Sequence, residues 1–256
     1  MNNNAQLFQL TGKRAIVTGG AGGLGAGYAS ALAAAGAIVA ILDVRNNTAQ
    51  IADEMSSDGK KIIGITCNLL DRQDRKEGFQ KAVQSMHGLD ILINNAGIQA
   101  RGEVLNINLE DWDRCIELNL TTTFELSQMA ARQIFEQKTR GKIVNVASML
   151  SFFGGLNCCP YAASKGAIAQ LTKACSNEWV GRGINVNAIA PGYMDTPLNT
   201  KLRSIPERDA EITARIPAHR WGLPEDLMGT MIYLCSSASD YVSGVILPVD
   251  GGYLAR

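Results

Sequence analysis

Charge of one sign is missing from this sequence. Its 24 lysines and arginines balance 24 aspartates and glutamates, so the formal net charge is zero. A chain without basic excess carries no electrostatic footprint for nucleic acid or an anionic membrane. No run of about 18 apolar residues occurs, so no segment is expected to span a bilayer. The start, Met1-Asn2-Asn3-Asn4, has neither a basic region nor an apolar stretch behind it, so no secretory signal is expected. Cysteine is sparse: the six (Cys67, Cys115, Cys158, Cys159, Cys175, Cys235) show no Cys-x-x-Cys or Cys/His ligand spacing. Reduced thiols, a cytoplasmic location and no metal site are the matching expectations. Neither histidine, His87 or His219, has a catalytic context.

What the chain does have is glycine, 26 residues in all, and a steady alternation of patterns. The apolar run Arg14-Ala15-Ile16-Val17-Thr18 leads into Gly19-Gly20-Ala21-Gly22-Gly23-Leu24-Gly25. An alanine-rich helical stretch follows from Ala26 to Ala35, and Gly36 stops it. Then comes Ile38-Val39-Ala40-Ile41-Leu42, closed by Asp43. Strand, glycine turn, helix, strand and acid form a dinucleotide-binding βαβ unit. The glycines let the backbone approach a pyrophosphate seated at the positive end of the helix. Asp43 can accept hydrogen bonds from both adenosine ribose hydroxyls and would repel a 2′-phosphate. Gly22 offers no phosphate partner, and Arg45 lies one step further from the strand end. NAD is therefore the expected cofactor, ahead of NADP.

The alternation continues. A polar helix over about Asn46–Ser57 leads to a strand Ile62–Thr66, and a helix Arg72–Met86 to a strand Ile91–Ile93. A long helix Leu109–Gln137, a strand Lys142–Val146, a helix Tyr161–Val180 and a strand Ile184–Ile189 follow. A helix Pro224–Ser236 and a strand Val245–Val249 complete the order. The strands read as continuously apolar, as in a parallel sheet covered on both faces. With no linker or change of composition, one doubly wound α/β domain over residues 1–256 is expected. In such sheets ligands bind beyond the strand carboxyl ends. Polar signals lie there: Asn94-Asn95-Ala96-Gly97, Ser148 and Pro191-Gly192. Thr18 either meets a phosphate or braces the turn.

Tyr161 and Lys165 stand four residues apart and so share a helix face. A cation about 4 Å from a phenol is worth roughly 4 kcal/mol at an effective dielectric near 20. Lowering the phenol from about 10 to about 7–8 needs roughly 3–4 kcal/mol. On magnitude, the lysine alone is enough to make the tyrosine a working acid and base.

These pieces together resemble the classical short-chain dehydrogenase/reductase family across nearly the whole chain. The likeness is carried by Thr18-Gly19-x-x-x-Gly23-x-Gly25, Asn94-Asn95-Ala96-Gly97, Asn119, Ser148, Tyr161-x-x-x-Lys165, and Pro191-Gly192 with Thr196. It implies a Rossmann-type sheet ordered 3-2-1-4-5-6-7, a homotetramer, and a tetrad of Asn119, Ser148, Tyr161 and Lys165. Of the tetrad, Tyr161 would exchange the proton and Ser148 would hold the substrate oxygen. Lys165 would bind the nicotinamide ribose, and Asn119 would hold a water linking Lys165 to solvent. It also implies cofactor contacts at Gly19, Gly23, Leu24, Gly25, Asp43, Asn68, Leu69, Asn95, Ala96, Gly97, Tyr161, Lys165, Pro191, Gly192 and Thr196. Within the family, residues 147–155, 185–194, 216–224 and the ends 238–242 and 249–256 look like 2-deoxy-D-gluconate 3-dehydrogenases. That group is also described as 2-dehydro-3-deoxy-D-gluconate 5-dehydrogenases.

Three departures bear on cofactor and substrate. Asn68 stands where the family has an aspartate beside the adenine. Asn157-Cys158-Cys159-Pro160 is unlike the sugar-acid group. Asp195 puts an acid beside Thr196, where it could repel an anionic substrate. Met149, Phe152, Asn157, Cys158, Tyr193 and Met194 are the expected substrate wall, and the polar stretch 195–216 a long loop serving as lid. Trp112, Trp179 and Trp221 are expected to pack and Arg220 to form an ion pair; Arg101, near the pocket mouth, is expected to be a solvated loop arginine, with binding of a substrate carboxylate as the alternative. The reading is oxidation of a secondary alcohol, or the reverse, on a deoxy sugar acid or polyol. Reduction of a cyclic or apolar ketone, suggested by Phe152, Phe153, Cys158 and Cys159, is the first alternative. A non-catalytic NAD-binding scaffold is the second.

Overall fold

Seven short apolar runs become strands because helices cover both of their faces, leaving no side that must be polar. The computed structural model describes residues 4–56, 59 and 61–256, without the side chains of residues 4, 198 and 201. The strands are β1 (Arg14–Thr18), β2 (Ile38–Asp43), β3 (Lys61–Thr66), β4 (Ile91–Asn94), β5 (Gly141–Val146), β6 (Ile184–Pro191) and β7 (Ile246–Val249). All pair in parallel in the order 3-2-1-4-5-6-7, as expected. The helices are α1 (Gly23–Ala34), α2 (Thr48–Met55), α3 (Arg72–Met86), α4 (Leu109–Ile116), α5 (Thr122–Glu136) and α6 (Cys159–Trp179). Three more follow: α7 (Thr200–Arg203), α8 (Pro206–Arg215) and α9 (Glu225–Cys235).

Successive residues of a strand face opposite sides of the sheet, and the core divides accordingly. Val17, Val39, Ile41, Ile93 and Val144 pack with Leu32 of α1 and Met231 of α9. Ile16, Ala40, Leu92 and Ile143 pack with Phe79 of α3 and Leu126, Ala130 and Ile134 of α5.

Two expectations about elements change, and the bound of a third falls where the structure is not described. The expected helix Leu109–Gln137 is two helices, α4 and α5, joined by a π-type turn over Glu117–Thr121 that carries Asn119. The expected end of the second helix, Ser57, lies outside the described residues. The stretch expected as a long loop, 195–216, is mostly helical, because Pro206 suits the first turn of α8 and Ile212 and Ile216 anchor it in an apolar cluster.

One buried charge fixes the layer beneath α5. Arg75 of α3 is fully buried. It donates to the Leu69 carbonyl at 2.8 Å, to Glu117 at 2.6 Å and to Glu125 at 2.5 Å. A guanidinium so placed is tolerable only with its partners present, so it ties the β3–α3 connection to the π turn.

Candidate active site

The site begins where β1 ends. Gly19 (φ 63°) and Gly23 (φ 53°) take left-handed backbone that favours glycine. Gly25 serves closeness instead: a Cβ there would lie 2.1 Å from the Gly19 carbonyl oxygen. Thr18 braces rather than faces the cleft. Its hydroxyl accepts from the amides of Asn95 and Ala96, both at 3.0 Å, and donates to the Ile93 carbonyl at 3.3 Å. Asn95 returns a bond from Nδ2 to the Thr18 carbonyl at 2.9 Å. The ends of β1 and β4 are thus clamped where the strand order reverses, the position at which doubly wound sheets open a crevice.

Asp43 is engaged from within the chain. Its Oδ2 accepts from the Ala21 amide at 3.0 Å and its Oδ1 from the Arg45 amide at 3.2 Å. The Arg45 guanidinium donates to the Ala21 carbonyl and lies against the glycine turn: a Cβ on Gly22 would come 2.5 Å from its Nη2. Arg45 Nε is also 3.9 Å from Asp43 Oδ1, so the carboxylate's charge is partly offset at the cleft edge.

The reactive group is built on α6. Lys165 is only 4% exposed, yet its ammonium has no carboxylate partner among the described residues; its hydrogen bond goes to the Val146 carbonyl at 2.6 Å. The ammonium lies 5.6 Å from the centroid of the Tyr161 ring. Burial pushes the Tyr161 phenol up to about 12, with Ser148 hydrogen bonding and the charge of Arg101 pulling the other way. Burial also lowers Lys165 to about 8. In the chain by itself burial thus works against the expected lowering of the phenol, because both groups share one dry place.

Ser148 caps the short turn Met149–Ser151, and Ser151 reaches from that turn to the Lys165 carbonyl at 2.6 Å. Asn119 is buried and clamps the strand-end loop. Its Oδ1 accepts from the Ile98 amide at 2.9 Å, and its Nδ2 donates to the Ile98 carbonyl and to Ser164 Oγ, both at 3.0 Å. Ser164 donates in turn to the Tyr161 carbonyl at 2.7 Å. Asn119 thereby holds the backbone of the tyrosine as well as the wall beside Gly97.

These groups open on one cleft of about 540 Å³. It is lined by Gly19, Gly23, Leu24, Asn95, Ala96, Gly97, Ser148, Tyr161, Lys165, Pro191, Gly192 and Thr196 among the expected residues, with Met149, Cys158, Tyr193 and Met194. Gly25, Asp43, Asn68, Leu69, Asn119, Phe152 and Asn157 are not in its lining. Phe152 is half exposed, and Asn157 takes a left-handed turn (φ 56°) with its carbonyl accepting from Gly102. Sequence reasoning did not place Gln99, Leu202, Arg208, Arg215 or Tyr253 at the site; all five line the cleft, together with Phe153 and with Arg101, an exposed loop arginine. Asp195, feared as a repulsive charge, is paired with Arg203. Arg220 pairs with Asp226 at 2.7 Å, and Trp221 packs, as expected. Among the described residues no group of His, Cys, Asp and Glu could hold a metal ion, and no helix is long and apolar enough to cross a membrane.

A buried ammonium with donors to spare, facing a cleft floored by open glycine backbone, fits the ribose and pyrophosphate of a dinucleotide. With a tyrosine beside it, this cleft is the candidate site of a dinucleotide-dependent oxidoreductase. The chain belongs to the short chain dehydrogenase family, whose model matches residues 13–207. It is 45% identical over 249 residues to the 2-dehydro-3-deoxy-D-gluconate 5-dehydrogenase of Escherichia coli, covering 97% of this chain and 98% of that protein. The Bacillus subtilis enzyme of the same name is 41% identical, with 97% of each covered. A crystal structure of a gluconate 5-dehydrogenase from Burkholderia cenocepacia, in complex with NADP and tartrate, superposes with a TM-score of 0.95. It is 34% identical, and the match covers 99% of this chain and all of that one.

Lys165 makes stability depend on pH. Its proton is held with a pKa of about 8 in the folded chain against 10.5 in the unfolded one, so between those values the unfolded chain binds more protons and stability rises with pH. In the cofactor-free protein, Lys165→Met should raise the melting temperature near neutral pH. Its advantage should shrink as pH rises from about 8 towards about 10. An advantage that stays constant over that range contradicts the buried-charge account.

Proposed function

We propose that this oxidoreductase interconverts a secondary alcohol and a ketone on a deoxy sugar acid or related polyol, using NAD or NADP. One observation carries the reading: Tyr161, Ser148 and Lys165 share a cleft with Arg101, Arg208 and Arg215. Guanidinium groups among aromatic walls suit a hydroxylated carboxylate better than an apolar cyclic ketone. Phe152, on which the apolar alternative partly rested, is outside the lining. The names of the relatives support a sugar acid, and the Burkholderia enzyme was crystallised with tartrate, itself a hydroxy acid.

A bound nicotinamide dinucleotide supplies the hydride chemistry. Lys165 offers its ammonium to the ribose hydroxyls, and the backbone of Gly19 to Leu24 receives the pyrophosphate. Ser148 holds the substrate oxygen. Tyr161, a protonated phenol at neutral pH, donates its proton to that oxygen in ketone reduction. In alcohol oxidation it must act as phenolate, which calls for more positive charge beside it than Lys165 alone provides. Tyr161→Phe should lower turnover by roughly 10²–10⁴-fold with cofactor binding retained; unchanged turnover contradicts the role.

The cofactor preference drawn from Asp43 widens for a physical reason. The backbone already engages that carboxylate, and Arg45 beside it is a suitable partner for a 2′-phosphate. Arg45→Ala should therefore lower kcat/KM for NADP by roughly tenfold, as loss of a charge-assisted bond does, and leave NAD nearly unaffected. Equal losses with both cofactors would remove Arg45 from this role.

A homotetramer belongs to the same reading. Leu105, Leu109 and Phe124, in and around α4 and α5, are exposed apolar side chains without cover in the single chain. Light scattering should return four times the chain mass of 27.4 kDa. A monomer mass would contradict it.

A further inference from the structure

The cleft has two cationic ends, and they differ. Arg101 is near enough to the catalytic phenol to act on its charge, and its Nε is engaged with Gln99 at 2.8 Å. Arg208 and Arg215 act instead on Tyr193, so they border another part of the same cleft. They stand seven residues apart on α8, two turns of helix, and so face the same way.

Arg215 is the better placed of the two. Arg203 pairs with Asp195 and Asp209, Arg208 with Glu211, and Arg220 with Asp226, but Arg215 makes no ion pair among the described residues. Its guanidinium lies over the Tyr253 ring, 5.0 Å from the centroid. That ring is buried and held by Phe153 at 5.9 Å and Tyr193 at 5.5 Å. A guanidinium stacked on an aromatic face keeps its N–H edge free for an anion, and little rotamer freedom remains to be lost on binding.

We propose that Arg215, seated on Tyr253 and assisted by Arg208, receives the substrate carboxylate and sets the preference for acids over neutral polyols. This rests on the sugar-acid reading above. In a sugar acid whose reacting carbon is remote from the carboxylate, four C–C bonds of ~1.52 Å place the two about 5 Å apart. Such a substrate would present its carboxylate away from the Tyr161 end of the cleft. The C-terminal turn of the chain, which carries Tyr253, is part of the specificity site.

The test compares a sugar acid that the enzyme turns over with the analogue carrying a hydroxymethyl group in place of the carboxylate. Arg215→Gln should raise KM for the acid by roughly tenfold or more, the loss expected for a charge-assisted bond. Its kcat, and KM for the neutral analogue, should stay nearly constant. Arg215→Lys should recover part of the loss, and Tyr253→Leu should raise KM for the acid with Arg215 intact. If Arg215→Gln leaves KM for the acid unchanged, or weakens acid and neutral substrates equally, the inference is overturned and the sugar-acid reading stands. If the wild type turns over no sugar acid while reducing neutral ketones, both fall.

Discussion

A cation held out of water without a counter-charge is the constraint on which this site depends. Lys165 sits under the strand ends with one carbonyl, that of Val146, for company. Removing an ammonium from water is costly, and only the surrounding fold keeps it there. β5 supplies the carbonyl, Ser151 ties the capping turn to the lysine backbone, and Asn119 with Ser164 pins the same helix from the opposite side. The cost is met by folding and leaves a cation with free donors facing the cleft. Burial acts on the phenol in the opposite sense, and the pair is set as a neutral acid beside a weakened base.

Around that pair the rest of the molecule divides into support and recognition. The clamp of Thr18 on Asn95, and the buried Arg75 with Glu117 and Glu125, hold backbone ends in place; of these residues only Asn95 reaches the cleft. The recognition we propose lies at the periphery, on arginines from three segments that line the cleft: Arg45 after β2, Arg101 after β4, and Arg208 and Arg215 on α8. The neutral formal charge of the chain hides this local concentration, because the matching carboxylates lie elsewhere or are paired within the surface.

Much of the fold was legible in the sequence, for a local reason. Continuous apolar runs of strand length separated by helical stretches leave few topologies, and the glycine turn after β1 marks where the sheet opens. The pairing of Tyr161 with Lys165 could be read because the two are close in sequence; Asn119 and Ser148 came only with the resemblance to the family. What escaped depends on contacts distant in sequence. The break at Glu117–Thr121 was hidden by apolar periodicity running through residues 109–137. Arg75 carried no local signal of burial, because its partners lie 42 and 50 positions away. The polar composition of 195–216 suggested a loop, while Pro206, Ile212 and Ile216 build a packed helix. Tyr253 carried no local signal at all; it meets the cleft only because the chain returns there after β7. Asp43 stands at the end of β2 as read but is already engaged, since no pattern reveals that the Ala21 amide points at it.

The balance between burial and charge at the phenol is most directly tested by titrating Tyr161 itself. The ultraviolet difference signal between wild type and Tyr161→Phe reports its ionisation in the cofactor-free protein. The account predicts that the phenol is still protonated at pH 10, where an ordinary tyrosine is about half ionised, and ionises only near a pKa of about 12. Ionisation with a pKa of about 7–8 would contradict it, and would mean that Lys165 alone outweighs desolvation.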